Sequence, residues 1–143
     1  MQSVREILSI KTEYTEEIVD ITPRLNDILD KSEIIDGMML VFPLHTSSAV
    51  YLNDSDRHLV KDSQELLRAL VPSTPQGKKS VYHHNQRDPK ENAAAHLKSM
   101  ILGHNVTLPI SKGKFDFGLY HTVYYAEFDG RREKEILIKI FGE

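Results

Sequence analysis

Apolar and polar residues alternate from about Ser3 to Lys11, where Val4, Ile7, Leu8 and Ile10 stand among Arg5, Glu6 and Lys11, and this predicts a first strand. A second, short strand is expected at residues 17–21. Thr22-Pro23 reads as a helix N-cap followed by proline in the first turn, where the missing N–H costs nothing. Leu25, Ile28 and Leu29 then carry a helix to about Lys31-Ser32. After an Asp36-Gly37 turn, residues 38–42 are uninterruptedly apolar, the pattern of a strand buried on both faces.

Asn53-Asp54-Ser55-Asp56 is a cluster of turn and cap formers, and Leu59, Val60, Leu66, Leu67 and Leu70 follow at helical spacing up to Pro72. Residues 73–87, around Thr74-Pro75-Gln76-Gly77, read as a loop. An Ala-rich helix is expected from Glu91 to Leu102, stopped by Gly103. The remainder is strand-like: residues 105–111, a Lys112-Gly113 turn, 114–118, 120–128, an Asp129-Gly130 turn, and 133–141. The two turns predict a run of antiparallel hairpins. No repeat or linker interrupts the pattern. It predicts one α+β domain over residues 1–143, an antiparallel sheet with about three helices.

Composition narrows the function classes. A chain of 143 residues can bury roughly 70% of the surface that it exposes unfolded, enough for a core of its own. Eighteen basic against twenty-one acidic side chains, net charge -3, leave no footprint for a general nucleic-acid or anionic-membrane binder. Cysteine is absent, which excludes disulfides, thiolate catalysis and Cys-based metal sites, so any metal would be held by His, Asp, Glu or backbone oxygen. No stretch approaches the ~18 apolar residues of a membrane span. Met1 to Ile7 has polar residues where a signal peptide would be apolar, so a cytoplasmic location is expected.

Seven histidines are the main chemical signal. His45 follows the apolar strand and precedes Thr46-Ser47-Ser48, where it is either a ligand or a strand-end group bonded to a backbone carbonyl. His83 and His84 lie in the long loop, and His96 sits in the Ala-rich helix as either a satisfied core group or a ligand. His45, His84 and His96 belong to separate elements and so are free to converge; three imidazoles around an open position would form a catalytic zinc-type site. His121 would add a fourth ligand or a general base, and His58 and His104 read as exposed. Asp56 and Asp62 have a simple reading as helix-start residues, Asp129-Gly130 as turn chemistry, and Glu127 and Arg132 flank that turn. Lys98, two residues beyond His96, points about 200° away on an ideal helix and needs a different partner. No P-loop or Gly-x-Ser-x-Gly elbow occurs.

Together the residues resemble the YjbQ family, also called UPF0047. The resemblance rests on Pro43-Leu44-His45-Thr46-Ser47-Ser48-Ala49-Val50, Leu52-Asn53, Asp56 and Asp62, Tyr82-x-His84, and Asn92-Ala93-Ala94-Ala95-His96-Leu97-Lys98. It continues through Leu102-Gly103, Val106 to Pro109, Gly113-Lys114, and Glu127-Phe128-Asp129-Gly130-x-Arg132, nearly the whole chain. The resemblance implies an α+β fold with a mixed, largely antiparallel sheet, closed or nearly closed, assembled as a homotrimer. It implies a secondary thiamine-phosphate synthase activity, joining a pyrimidine diphosphate to a thiazole phosphate with release of pyrophosphate.

Carried over by position, His45, His84 and His96 match a metal-binding set, for a divalent ion such as zinc. Asp56, Asn92, Lys98, Glu127 and Arg132 match the family's other polar positions, with Asp56 and Glu127 expected as catalytic and Asn92, Lys98, Arg132 and Thr46 as substrate-binding. His121, which stands where the family differs, is expected beside them as substrate-binding. This chain departs from the family pattern at Gly118-Leu119-Tyr120-His121, where Gly-Thr-Trp-Gln is favoured. It departs again at Asp56-Arg57-His58, where Asp-Pro-Asp is favoured, and at Arg131-Arg132, where Pro-Arg is favoured. The loss of Trp and Gln alters a pocket wall. The expectation is a metal-dependent enzyme on a small phosphorylated molecule, without nucleic acid or membrane. The alternatives are a hydrolase of such a molecule and a non-catalytic trimeric metal- or ligand-binding protein.

Overall fold

A computed structural model describes residues 1–75 and 77–143; the loop reading at residue 76 lies outside the described residues. The elements run β1 (Gln2–Lys11), β2 (Glu17–Asp20), α1 (Thr22–Ser32), β3 (Asp36–Pro43), β4 (Ser48–Asp54) and α2 (Arg57–Leu70). A single 3-10 turn (His83–Gln86) precedes α3 (Ala93–Leu102), β5 (Val106–Ser111), β6 (Lys114–Phe115), β7 (His121–Glu127) and β8 (Glu133–Gly142). The class is α+β with three α-helices, as expected. Every strand pair is antiparallel, and the strands divide between two sheets, ordered β1-β8-β3-β5-β6 and β2-β7-β4.

The period of two along each strand decides what lies between the sheets. Leu8, Ile10, Met39, Val41, Leu108, Ile110, Ile136, Ile138 and Ile140 of the large sheet meet Val50, Val123 and Tyr125 of the small one, with Ile21, Leu25 and Leu29 closing the core. The alternate residues of β7, with Phe128 beyond its end, face the other way. Ala126 and Phe128 pack with Leu67 of α2 and Ala95 of α3 in a second apolar cluster. So β7, a central strand covered on both sides, is the doubly buried one. The same expectation for residues 38–42 is corrected: β3 alternates, with Met39 and Val41 buried, Leu40 and Phe42 half-buried and Met38 56% exposed, because among the described residues the outer face of the large sheet is only partly covered there.

A second correction concerns the hairpins. Only β5-β6 is one; β7 and β8, on either side of Asp129-Gly130, lie in different sheets. Four short connections among the described residues cross from sheet to sheet, 12–16, 44–47, 116–120 and 128–132, and three of them, 12–16, 44–47 and 128–132, meet. The registers Lys11↔Glu133, Pro43↔Ile136 and Ser48↔Glu127 place all three at one end of the sandwich. They are tied together there by Gly130 N–H to Thr15 O (2.9 Å), Phe128 N–H to Ser47 O (3.1 Å) and Leu44 N–H to Glu135 O (3.0 Å). Gly130 is required by close approach, since a Cβ would fall 2.2 Å from Thr12 Oγ1.

Local signals succeed where the chemistry is local. Asp56 caps α2, accepting from His58 N–H at 2.8 Å. Thr22 does not cap α1: the helix starts at Thr22 itself, and its hydroxyl accepts from Val123 N–H (2.8 Å), stitching the helix start to β7. The missed strand β4 is the apolar run after Ser48.

Candidate functional site

The crossover end of the sandwich holds a cleft. Residues 45–48 present four backbone carbonyls, and each is taken by a donor from another element. His104 Nε2–H reaches His45 O (3.0 Å), His96 Nδ1–H reaches Thr46 O (2.9 Å), Phe128 N–H reaches Ser47 O (3.1 Å) and Ser99 Oγ–H reaches Ser48 O (2.5 Å). His104 is thus half-buried, edge-on to Phe42, and not the exposed residue expected.

On the other side, the 3-10 turn docks on α3 through Asn85, a residue that no local signal singled out. Its buried side chain accepts from Ala93 N–H at 2.9 Å and so caps α3 from outside the helix. Asn92, at the N-cap position, is thereby free of capping. Its Oδ1 meets His84 Nε2 (3.0 Å), while its Nδ2 donates to Asp129 Oδ2 (3.1 Å).

These anchors bring His84 and His96 together, with ring centroids 5.0 Å apart and planes at 85°. Both line a cavity of about 520 Å³ with Thr46, Val81, Tyr82, His83, Ala93 and Leu97. His96 Nδ1 is held by Thr46, whose hydroxyl lies 3.2 Å away as well, so Nε2 is the open nitrogen. Neither His96 Nε2 nor His84 Nδ1 has a protein partner among the described residues.

Behind the cleft lies a buried ion pair. Period two places Glu127 on the core side of β7 with Val123 and Tyr125, and Lys134 on the core side of β8 with Ile136, Ile138 and Ile140. Lys134 Nζ sits 2.9 Å from Glu127 Oε2 and 3.2 Å from Ser47 Oγ; Tyr125 O–H donates to Glu127 Oε1 (2.6 Å) and Asp129 N–H to Oε2 (3.1 Å). Burial raises the Tyr125 phenol, and its bond to Glu127 adds to the rise. Glu127, 1% exposed with both oxygens engaged, supports the cleft and is not placed to act as a base within it.

The expected residues therefore separate. Thr46, His84, Asn92 and His96 come together, joined to Arg132 through Asp129 (2.8 Å). Lys98 is corrected: 1% exposed, it pairs with Glu16 (2.8 Å) on the opposite face of α3, as its helical angle from His96 requires, and its charge does not reach the cleft. Asp56 and His121 are corrected too. Asp54 pairs with His121 and Ser48 with Glu127, so both lie about six residues along β4 and β7 from the cleft, roughly 20 Å within one chain. His121 Nδ1 accepts from Gly118 N–H (2.9 Å).

The three-imidazole metal set is not assembled either. His45 Nε2 accepts from Glu135 N–H (3.3 Å), and burial, then the Lys134 charge, hold its pKa below the ordinary 6.5, which keeps the ring neutral. Among the described residues no group of three or more His, Asp or Glu is arranged to hold a metal ion. The residues present offer two converging imidazoles and not the zinc cage expected. No helix among the described residues is long and apolar enough to cross a membrane.

Comparison with known proteins agrees with the whole-chain resemblance. Residues 6–143 match the family described as UPF0047 protein YjbQ-like. A UPF0047 protein of Methanothermobacter thermautotrophicus is 31% identical over 143 residues, covering 100% of this chain and 95% of that protein. One of Archaeoglobus fulgidus is 36% identical over 132 residues, covering 92% and 97%. The crystal structure of a YbjQ-like protein of Sulfolobus solfataricus superposes with a TM-score of 0.89 at 29% identity, over 99% of each chain. With sequence and fold matching over the full set of strands and helices that build the cleft, the chain belongs to the UPF0047 YjbQ-like family.

Proposed function

We propose that this protein is an enzyme acting on a small phosphorylated molecule in the His84–His96 cleft. The observation that carries the reading is the facing pair of imidazoles, each with one nitrogen fixed by a neighbour and the other unengaged at the wall of a cavity of about 520 Å³. That volume suits a small molecule. A neutral imidazole can take a proton from solvent or from a protonated phosphate oxygen; once protonated it is a charge-assisted donor to a phosphate oxygen. Two such groups on one ligand can bind an anionic leaving group as its charge develops. Arg132, half-exposed beside them, adds a guanidinium.

By resemblance, the reaction is thiamine-phosphate synthase-like. A carbon–oxygen bond of the pyrimidine diphosphate breaks, pyrophosphate departs with the electron pair, and the thiazole nitrogen forms the new carbon–nitrogen bond. His84 and His96 would receive the departing pyrophosphate. A homotrimer belongs to the same proposal. Met38 and Phe141, paired across β3 and β8, leave an exposed apolar patch on the outer face of the large sheet, and a second copy would cover it.

The test is titration of tag-free protein with inorganic pyrophosphate by calorimetry, with its metal content measured in parallel. Binding is expected in the parent and a weakening of at least tenfold in His84→Ala/His96→Ala, at unchanged circular dichroism. Absence of binding at millimolar pyrophosphate overturns the reading. So does stoichiometric zinc that His84→Ala removes, because the pair would then be a metal site. Release of pyrophosphate from the two thiamine precursors separates the synthase from a hydrolase, and a silent assay with intact binding favours the non-catalytic protein.

A further inference from the structure

We infer that Asp129 is a positioning residue that sets the tautomer of His84 through Asn92. The inference rests on reading the His84–His96 cleft as the working site, but it concerns protons of the ligand-free protein. Its readout is therefore independent of turnover and binding.

The chain of reasoning begins with an acceptor that has no alternative. An ionised carboxylate only accepts hydrogen bonds. Asp129 Oδ2 accepts from Arg132 Nη2–H at 2.8 Å on one side and from the Asn92 side chain at 3.1 Å on the other. Asn92 must therefore turn its amide NH2 to Asp129, and its oxygen is committed to the opposite side, where His84 Nε2 lies 3.0 Å away. An amide oxygen cannot donate, so the proton of the neutral imidazole is on Nε2. The lone pair is left on Nδ1, the nitrogen without a protein partner.

His96 has the opposite assignment by the same logic, because the Thr46 carbonyl can only accept and puts the proton on Nδ1. The cleft thus holds two imidazoles locked in opposite tautomers, one by a backbone carbonyl and one by a side-chain relay. Both unengaged nitrogens are proton acceptors.

The relay is itself held by burial. Asp129 N–H is fixed by Glu127 Oε2, and Glu127 by the buried Lys134. A turn-forming aspartate would need none of this; a turn needs only an Asx bond to its own backbone. One competing carboxylate is near: Asp88 Oδ2 stands 3.6 Å from His84 Nε2, outside hydrogen-bond distance, and its Oδ1 accepts from Lys90 N–H.

The experiment is long-range 1H–15N correlation NMR of the imidazole nitrogens in the whole protein, at a pH where His84 is neutral. In the parent, His84 is expected as the Nε2–H tautomer and His96 as Nδ1–H. Asp129→Ala removes the acceptor that holds the Asn92 amide group, so the relay loses its direction. The His84 nitrogen shifts are then expected to move towards a mixture, while His96 does not change. Asn92→Ala should give the same loss of the His84 signature without touching the turn. Asp88→Asn should leave it in place.

An Nδ1–H tautomer at His84 in the parent overturns the inference without any variant. It is also overturned if Asp129→Ala and Asn92→Ala, both folded, keep the parent pattern, or if Asp88→Asn alone releases the proton. Pyrophosphate titration of the same samples separates this outcome from that of the proposed function. A correct tautomer in a protein that binds nothing leaves the relay standing and removes the substrate reading.

Discussion

Replacing Lys134 by Met should be among the most damaging single substitutions at the crossover end. Glu127 and Lys134 are 1% and 2% exposed, with 2.9 Å between charged atoms. At that distance and an effective dielectric of about 20, the attraction is roughly 6 kcal/mol. Most of it offsets the several kcal/mol needed to desolvate each ion. Lys134→Met removes the attraction and the lysine's desolvation but leaves the Glu127 carboxylate buried, with only Tyr125 O–H and Asp129 N–H to hold it. The expected loss is about 3–5 kcal/mol, a large part of the ~5–15 kcal/mol that stabilises a domain. Urea denaturation would read it as a lower midpoint at unchanged slope.

The double variant Lys134→Met/Glu127→Gln should recover about 2 kcal/mol of that loss, since no charge then remains buried. If the single variant costs less than ~1 kcal/mol, the pair is not closed off from water as described. If the double variant is as unstable as the sum of the two singles, the loss arises from packing and the electrostatic reasoning is refuted.

Three further outcomes follow from the same structure. Because the folded-state pKa of His45 lies below 6.5, the unfolded chain binds the proton first. Stability should therefore fall as pH drops below about 6.5, level off once the folded His45 is protonated, and lose this slope in His45→Gln, as followed by urea midpoints from pH 7.5 to 5. Glu16→Gln should cost more than Lys98→Met, about 2–3 against ~1 kcal/mol, because the first strands a fully buried ammonium while the second leaves the partly exposed Glu16 to water and Arg68. The reverse order by thermal denaturation would sink that assignment. Neither variant should alter pyrophosphate affinity, because Lys98 lies on the face of α3 away from the cleft.

Much of this protein is legible in the chain itself. The periods of two and 3.6 locate seven of the eight strands and all three α-helices, and the Asp56 cap marks the start of α2. The angle between His96 and Lys98 on one helix already separates their partners. Such features depend on residues within a turn or two of one another, where dihedral preferences and side-chain spacing are enough. Even Lys134 is visible as the one charged residue in the row Lys134-Ile136-Ile138-Ile140, although the row does not name its partner.

What the period of two cannot convey is which sheet a strand joins. Asp129-Gly130 has the residues of a hairpin turn, yet it carries the chain from one sheet to the other, because Gly130 packs against Thr12 and Tyr14. The site follows from that choice. His84 and His96 meet because Asn85 caps α3 from a distant turn and Thr46 brings a carbonyl across the crossover, whereas His45, in the same short motif as Thr46, is claimed by Glu135 N–H. Histidine positions along the chain are a local property. Which nitrogens stay unengaged is settled by hydrogen bonds between segments as many as 90 residues apart, and only the packed tertiary structure decides those.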